Sequence, residues 1–147
     1  MKSANGCTAL LVLVWLAIGG CVVAPPAPTT VELVNSTPLD VRPELYVSGS
    51  ALDEAGLFVA ENLVTSFTTR PFPELRGNET ATLTFECEQI RSIGVEMPVM
   101  FDAALLIPTE SNDRIFRLQG TDFECGVTLR FVYYTQGDTF HIRIETP

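Results

Sequence analysis

Thr80-Ala81-Thr82-Leu83-Thr84-Phe85-Glu86-Cys87-Glu88 decides the fold class of this chain. Ala81, Leu83, Phe85 and Cys87 alternate with threonine and glutamate. That period of two sends one set of side chains to each face of a β-strand and builds no apolar helical stripe. The pattern recurs downstream. Phe123, Cys125, Val127, Leu129, Phe131 and Tyr133 share one phase, with Thr128 and Arg130 between them, and Phe140, Ile142 and Ile144 alternate with His141, Arg143 and Glu145. Thr30–Asn35, Val41–Ser48, Pro98–Ile107 and Arg114–Leu118 are further strand candidates. Turn chemistry separates them at Arg76-Gly77-Asn78, Glu110–Asp113 and Gln136-Gly137-Asp138. About seven short strands with frequent turns predict an all-β domain, an antiparallel β-sandwich of immunoglobulin-like or transthyretin-like outline.

One stretch resists this reading. In Ala51–Thr69 the residues Ala60, Val64 and Phe67 fit a helical face, and Ser50 is a candidate cap with Asp53 behind it. Gly56 and the threonine-rich end oppose a long helix, so a loop with one short helix or strand is expected.

Upstream, an apolar run from Ala9 ends in Leu16-Ala17-Ile18-Gly19-Gly20-Cys21, preceded by Lys2. These residues resemble the lipobox of bacterial lipoproteins: a signal peptide with a positive start, a short apolar segment, small residues, then a cysteine. The resemblance implies cleavage after Gly20, acylation of Cys21 and anchoring by two or more chains, the number that makes membrane binding stable. It also implies a place in the bacterial cell envelope. By the sorting habit of that family, Val22 rather than Asp after the cysteine implies the periplasmic face of the outer membrane, or the cell surface. Two other readings of the run remain. As an uncleaved anchor it is short of the roughly 20 residues needed to span a bilayer; as an ordinary secretory peptide it would be cut elsewhere.

The organisation expected is therefore a signal peptide over 1–20, a lipidated proline-rich stalk over 21–30 (Val22 to Thr30 reads VVAPPAPTT), and a sandwich domain over 31–147. Polyproline geometry makes the stalk semi-rigid and about 30 Å long. Roughly 127 residues remain after cleavage, enough for one domain with a real core. Lys2 is the only lysine, so the rest carries eight arginines against 18 acids, a net charge of about −10. A field of that sign repels nucleic acid and anionic headgroups. Partners are expected to be the membrane, through the anchor, and an envelope protein or polysaccharide.

Export to an oxidising compartment makes a disulfide the default for Cys87 and Cys125, the two cysteines left besides Cys7 and Cys21. Both fall on apolar phases, so the bridge is expected inside the core. Asn35-Ser36-Thr37 and Asn78-Glu79-Thr80 fit the glycosylation pattern, which a bacterial lipoprotein does not meet.

Little points to catalysis. His141 is the only histidine, on an outward strand phase beside Arg143, with no Gly-x-Ser-x-Gly elbow in the chain. One histidine and a bridged cysteine pair do not make a zinc site, and neither an EF-hand nor a glycine-rich phosphate loop occurs. No catalytic residue, cofactor or metal is expected. Two alternatives stay open: an envelope polysaccharide hydrolase using a carboxylate pair, for which Asp53-Glu54 and Asp122/Glu124 are the closest groupings, and an adhesion module stabilised by calcium in a loop such as Glu110–Asp113.

The most distinctive internal string is Leu118-Gln119-Gly120-Thr121-Asp122-Phe123-Glu124-Cys125-Gly126. Gly120 and Gly126 permit backbone angles closed to other residues, Asp122 can bond its own turn, and Phe123 and Cys125 are expected to face the core. With Cys87 and the opening Val31-Glu32-Leu33-Val34-Asn35-Ser36-Thr37, it resembles a loose group of uncharacterised exported bacterial proteins sharing a G-x-D-F-x-C-G string. That group implies a fold and no activity. The string itself reads as a disulfide-stapled turn.

Overall fold

Alternation becomes paired strands in the computed structural model, which describes residues 25–65, 74–101, 109–110 and 113–145. The described strands are β1 (Thr29–Asn35), β2 (Asp40–Ser48), β3 (Thr80–Phe85), β4 (Ser92–Phe101), β5 (Thr109–Glu110), β6 (Ile115–Leu118), β7 (Thr128–Gln136) and β8 (Thr139–Glu145). They form two sheets, ordered β3-β1-β7-β8-β5 and β2-β4-β6. This is the all-β sandwich expected. Its pairings are mostly antiparallel, but β1 runs parallel to β7 and β5 parallel to β8.

Each strand's apolar phase supplies the core between the sheets. Val31 and Leu33 of β1, Val41 and Leu45 of β2, Ile93 and Val95 of β4, Leu129, Phe131 and Tyr133 of β7 and Phe140 of β8 are almost wholly buried. Burying each large apolar side chain is worth roughly 1.5–3 kcal/mol. The Tyr133 hydroxyl, also buried, has no hydrogen-bond partner among the described residues. β2 and β4 slip register between Arg42 and Glu44, where Pro43 has no N–H to give the ladder.

Two ends follow from the strand directions. Chain entry at Thr29, the Ser48–Leu52 connection and the 118–127 loop lie at one end. The Ser36–Leu39 crossover, the 76–79 turn and the β7–β8 hairpin lie at the other. Gly137 takes φ 61° as the first residue of that two-residue hairpin, a position where glycine is favoured. At the same end Asn35, fully buried, ties three segments together. Its amide donates to the carbonyls of Leu39, Leu75 and Arg76, and its Oδ1 accepts from the N–H and hydroxyl of Thr37 at 3.0 and 2.8 Å. Asn35 is thus structural and cannot accept a glycan.

Three expectations need correction. The Thr80–Glu88 strand stops at Phe85, because Glu86 and Gln89 cap a 3-10 turn over Cys87–Gln89. The strand read from Phe123 begins only at Thr128, because Gly120 and Gly126 sit at φ 82° and 86°, which no extended run can accommodate. The strand placed at Pro98–Ile107 begins earlier, at Ser92, and 102–107 lies outside the described residues.

Within Ala51–Thr69 there is one helical turn, α1 (Glu54–Leu57), and a 3-10 turn over Ala60–Asn62; Phe67 lies outside the described residues. Asp53, not Ser50, caps α1, accepting from the Gly56 N–H at 2.8 Å. This segment lies on the outer face of the smaller sheet. Leu57 is buried there, and Phe58 packs edge-on against Tyr46 with ring centroids 5.0 Å apart. Gly94 beneath them makes room: a Cβ there would stand 2.5 Å from Phe58 Cζ and 2.8 Å from the Ile115 carbonyl oxygen.

Candidate functional site

Cys87 and Cys125 are disulfide-bonded, with Cα atoms 5.7 Å apart. The core position expected for them is wrong. Both are half-buried, because the capped 3-10 turn and the glycine-bounded loop carry them off their strands to the end where the chain enters. The Ala27 carbonyl oxygen sits 3.4 Å from each sulfur, and the Gly126 N–H donates to Thr29 Oγ1 at 3.2 Å. The bridge therefore clasps the last residues before β1. Cys21 and the string ending in it lie outside the described residues.

The Leu118–Gly126 string is a closed turn. Asp122 Oδ2 accepts from the Leu118 N–H at 2.8 Å, the Gly120 N–H donates to the Phe123 carbonyl at 2.8 Å, and Phe123 is 7% exposed. Asp122 is thereby a turn-former, as Asp53 is a helix cap, so neither acidic grouping converges on a cleft. A shallow dent lies between Arg42–Glu44 and Leu63–Thr65. Among the described residues no three His, Cys, Asp or Glu side chains group so as to hold a metal. The calcium loop proposed at Glu110–Asp113 includes residues 111 and 112, outside the described residues.

His141 departs from expectation. It sits on the outward phase of β8, yet it has an orienting carboxylate: its Nδ1 is 2.9 Å from Asp113 Oδ2, which also accepts from the Ile142 N–H at 3.3 Å. Parallel pairing of β5 with β8 returns the chain beside β8 just before Asp113, a closure with no local signal in the sequence. The imidazole also stacks on Tyr134 across β7, centroids 5.6 Å apart, and the Arg143 guanidinium lies 4.8 Å from that ring's centroid. A histidine held by a carboxylate is half of an acid–base device. Among the described residues no hydroxyl or thiol bonds to the imidazole, and the pair is half-buried on the outer sheet face.

Elsewhere on that face Arg130 lies between Glu32 and Glu145, which Arg143 also meets. On the smaller sheet Arg114 pairs with Glu96 and covers the Phe58 ring at 4.3 Å. The Tyr46 hydroxyl donates to Glu44, and its pKa is pushed up to about 12, first by burial and then by Glu44 and Glu96. Among the described residues no helix is long and apolar enough to cross a membrane.

No family model and no curated protein matches the chain. Among solved structures it is similar to a protein from Eubacterium rectale determined by NMR, at 11% identity and TM-score 0.44, covering 82% of this chain and 90% of that one. It is also similar to the T6SS lipoprotein TssJ1 from Pseudomonas aeruginosa in a crystal structure, at 18% identity and TM-score 0.41, covering 84% of this chain and 99% of that one. Likeness at this level is one of outline and assigns no activity.

Proposed function

We propose that this chain is a lipid-anchored, non-catalytic β-sandwich of the bacterial cell envelope that acts by binding another envelope component. The observation that carries the reading is Ile18-Gly19-Gly20-Cys21 at the end of a short apolar run. The clasp of the disulfide on Ala27 supports it, because it fixes which end of the domain faces an anchor at Cys21. Intact-mass analysis tests it: the mature protein should begin at Cys21 and carry lipid mass, and Cys21→Ser should accumulate as an unlipidated precursor that keeps its apolar run. Cleavage elsewhere with no lipid would refute the anchor.

One observation favours a second reading, an envelope hydrolase. Asp113 orients His141, which general acid–base work requires. Loss of a measurable turnover in His141→Ala would put that reading ahead; unchanged biological activity would dismiss it.

A further inference from the structure

An edge strand exposes a row of unpaired backbone donors and acceptors, and natural sheets blunt such edges with cover, brevity, charge or proline. The edges here are treated unequally. Along β2, Val41 and Leu75 exchange backbone hydrogen bonds at 2.9 and 2.8 Å, the Val64 N–H donates to the Leu45 carbonyl, and Pro43 interrupts the ladder. β5 is two residues long, and β6 is four with Arg117 among them. Among the described residues β3 has none of these defences. It runs six residues, Thr80–Phe85, without charge, proline or glycine, and has a neighbour only on its β1 side among the described strands.

We propose that the β3 edge docks an extended segment of a partner protein by strand addition, a segment of alternating apolar and β-branched residues with basic residues at the end beside Glu86 and Glu88. This rests on the reading of the domain as a binding module and names its surface. The backbone groups of an edge strand are best satisfied by another extended backbone, which sets the occupant's conformation. Thr80, Thr82 and Thr84 are exposed on the outer face while Leu83 and Phe85 are only half-buried, so the incoming strand gains apolar cover on one face and threonine neighbours on the other. Charge sets one end: the exposed Glu86 and Glu88 follow β3. A partner with basic residues at that end meets opposite charge there.

The test adds to the detergent-solubilised full chain a short peptide of alternating valine and threonine with two arginines at each end. At about 1 mM peptide, a concentration suited to a weak exposed interaction, the amide resonances of residues 80–85 should shift, and their hydrogen exchange should slow about 10-fold. The same peptide N-methylated at every residue, which has no backbone N–H to donate, should leave them unchanged. Glu86→Gln with Glu88→Gln should weaken binding about 3-fold at low salt and not at high salt. Thr82→Pro should abolish binding; the N-methylated peptide makes the same point without altering the fold. No shift, shifts confined to other residues, or equal binding of the N-methylated peptide overturns the proposal. Protection of 80–85 that grows with protein concentration in the absence of peptide overturns it in favour of a second copy. None of these results touches the anchor, which intact mass reads separately.

Discussion

Removing the Cys87–Cys125 bridge should cost about 4 kcal/mol, nearly all of it through the unfolded state. The bridged residues are 38 apart, and the loop-closure model for a loop of that length gives a lost entropy near 13 cal/mol/K, or about 4 kcal/mol at 25 °C. That is a large share of the roughly 5–15 kcal/mol that stabilises a typical domain. The half-buried setting of both sulfurs fixes what else happens. Replacing them leaves no sealed cavity, so Cys87→Ala/Cys125→Ala and Cys87→Ser/Cys125→Ser should agree within about 0.5 kcal/mol. Had the bridge lain in the core, the serine pair would be worse by about 1–3 kcal/mol, the cost of unpaired buried hydroxyls. Urea unfolding of the oxidised chain and both double variants measures the difference, and the variants should show a larger m because their unfolded chains are less compact. Native-state hydrogen exchange should show Thr29 and Thr30 fraying first, where the clasp on Ala27 is lost. A loss below about 1 kcal/mol, or a serine pair much worse than the alanine pair, would falsify this account.

Asn35→Ala should destabilise by about 2 kcal/mol in urea unfolding, because the buried Thr37 N–H loses its acceptor and the carbonyls of Leu39, Leu75 and Arg76 each lose one of two donors; a loss under about 1 kcal/mol would contradict its role as a tie. Gly94→Ala should cost about 1–3 kcal/mol, since its Cβ collides with Phe58 and the Ile115 carbonyl, and Phe58→Ala in the same chain should recover part of the loss. Stability should fall as pH rises above 10: Tyr46 ionises near its ordinary value when unfolded but only near about 12 when folded. Raising the pH therefore draws the chain toward the unfolded, ionised form, and Tyr46→Phe should make that limb shallower while leaving the share of Tyr133, which burial also pushes up. His141→Ala should cost about 1 kcal/mol in thermal or urea unfolding, for the lost Asp113 bond and Tyr134 stack; less than about 0.3 kcal/mol would mean the pair is incidental.

Period two carried the fold class because half-buried strands need no information beyond the alternation itself. β1, β2, β6 and β8 lie within a residue or so of where that alternation places them. It misled where a local backbone device overrides it. Cys87 and Cys125 keep the apolar phase in the sequence, but the Glu86/Gln89 cap and the positive φ at Gly126 take both out of their strands. The capping pair Glu86-x-x-Gln89 and the glycine were visible; their precedence over a continuing alternation was not. The Asp113–His141 pair had no signal at all, since residues 28 apart meet only through the parallel closure of β5 on β8. Parallel pairing is decided by the whole topology, which no single strand's pattern records.

Charge placement bears on how an anchored domain would stand. On the described surface Arg114, Arg130 and Arg143 each sit beside a glutamate. At the chain-entry end, exposed acids gather instead: Asp53, Glu54, Glu86, Glu88, Asp122 and Glu124. With Cys21 acylated, seven residues would lie between the anchor and Thr29, a reach of at most about 28 Å over eight Cα–Cα steps. The Debye length at physiological salt is about 8 Å. An extended stalk would therefore hold the acidic end beyond the range at which anionic headgroups repel it. A domain that sank toward the membrane would enter that range and be pushed back, so repulsion and stalk stiffness would both favour an upright domain. That posture would keep the β3 edge, which pairs along β1 from the entry end toward the far end, clear of the lipid.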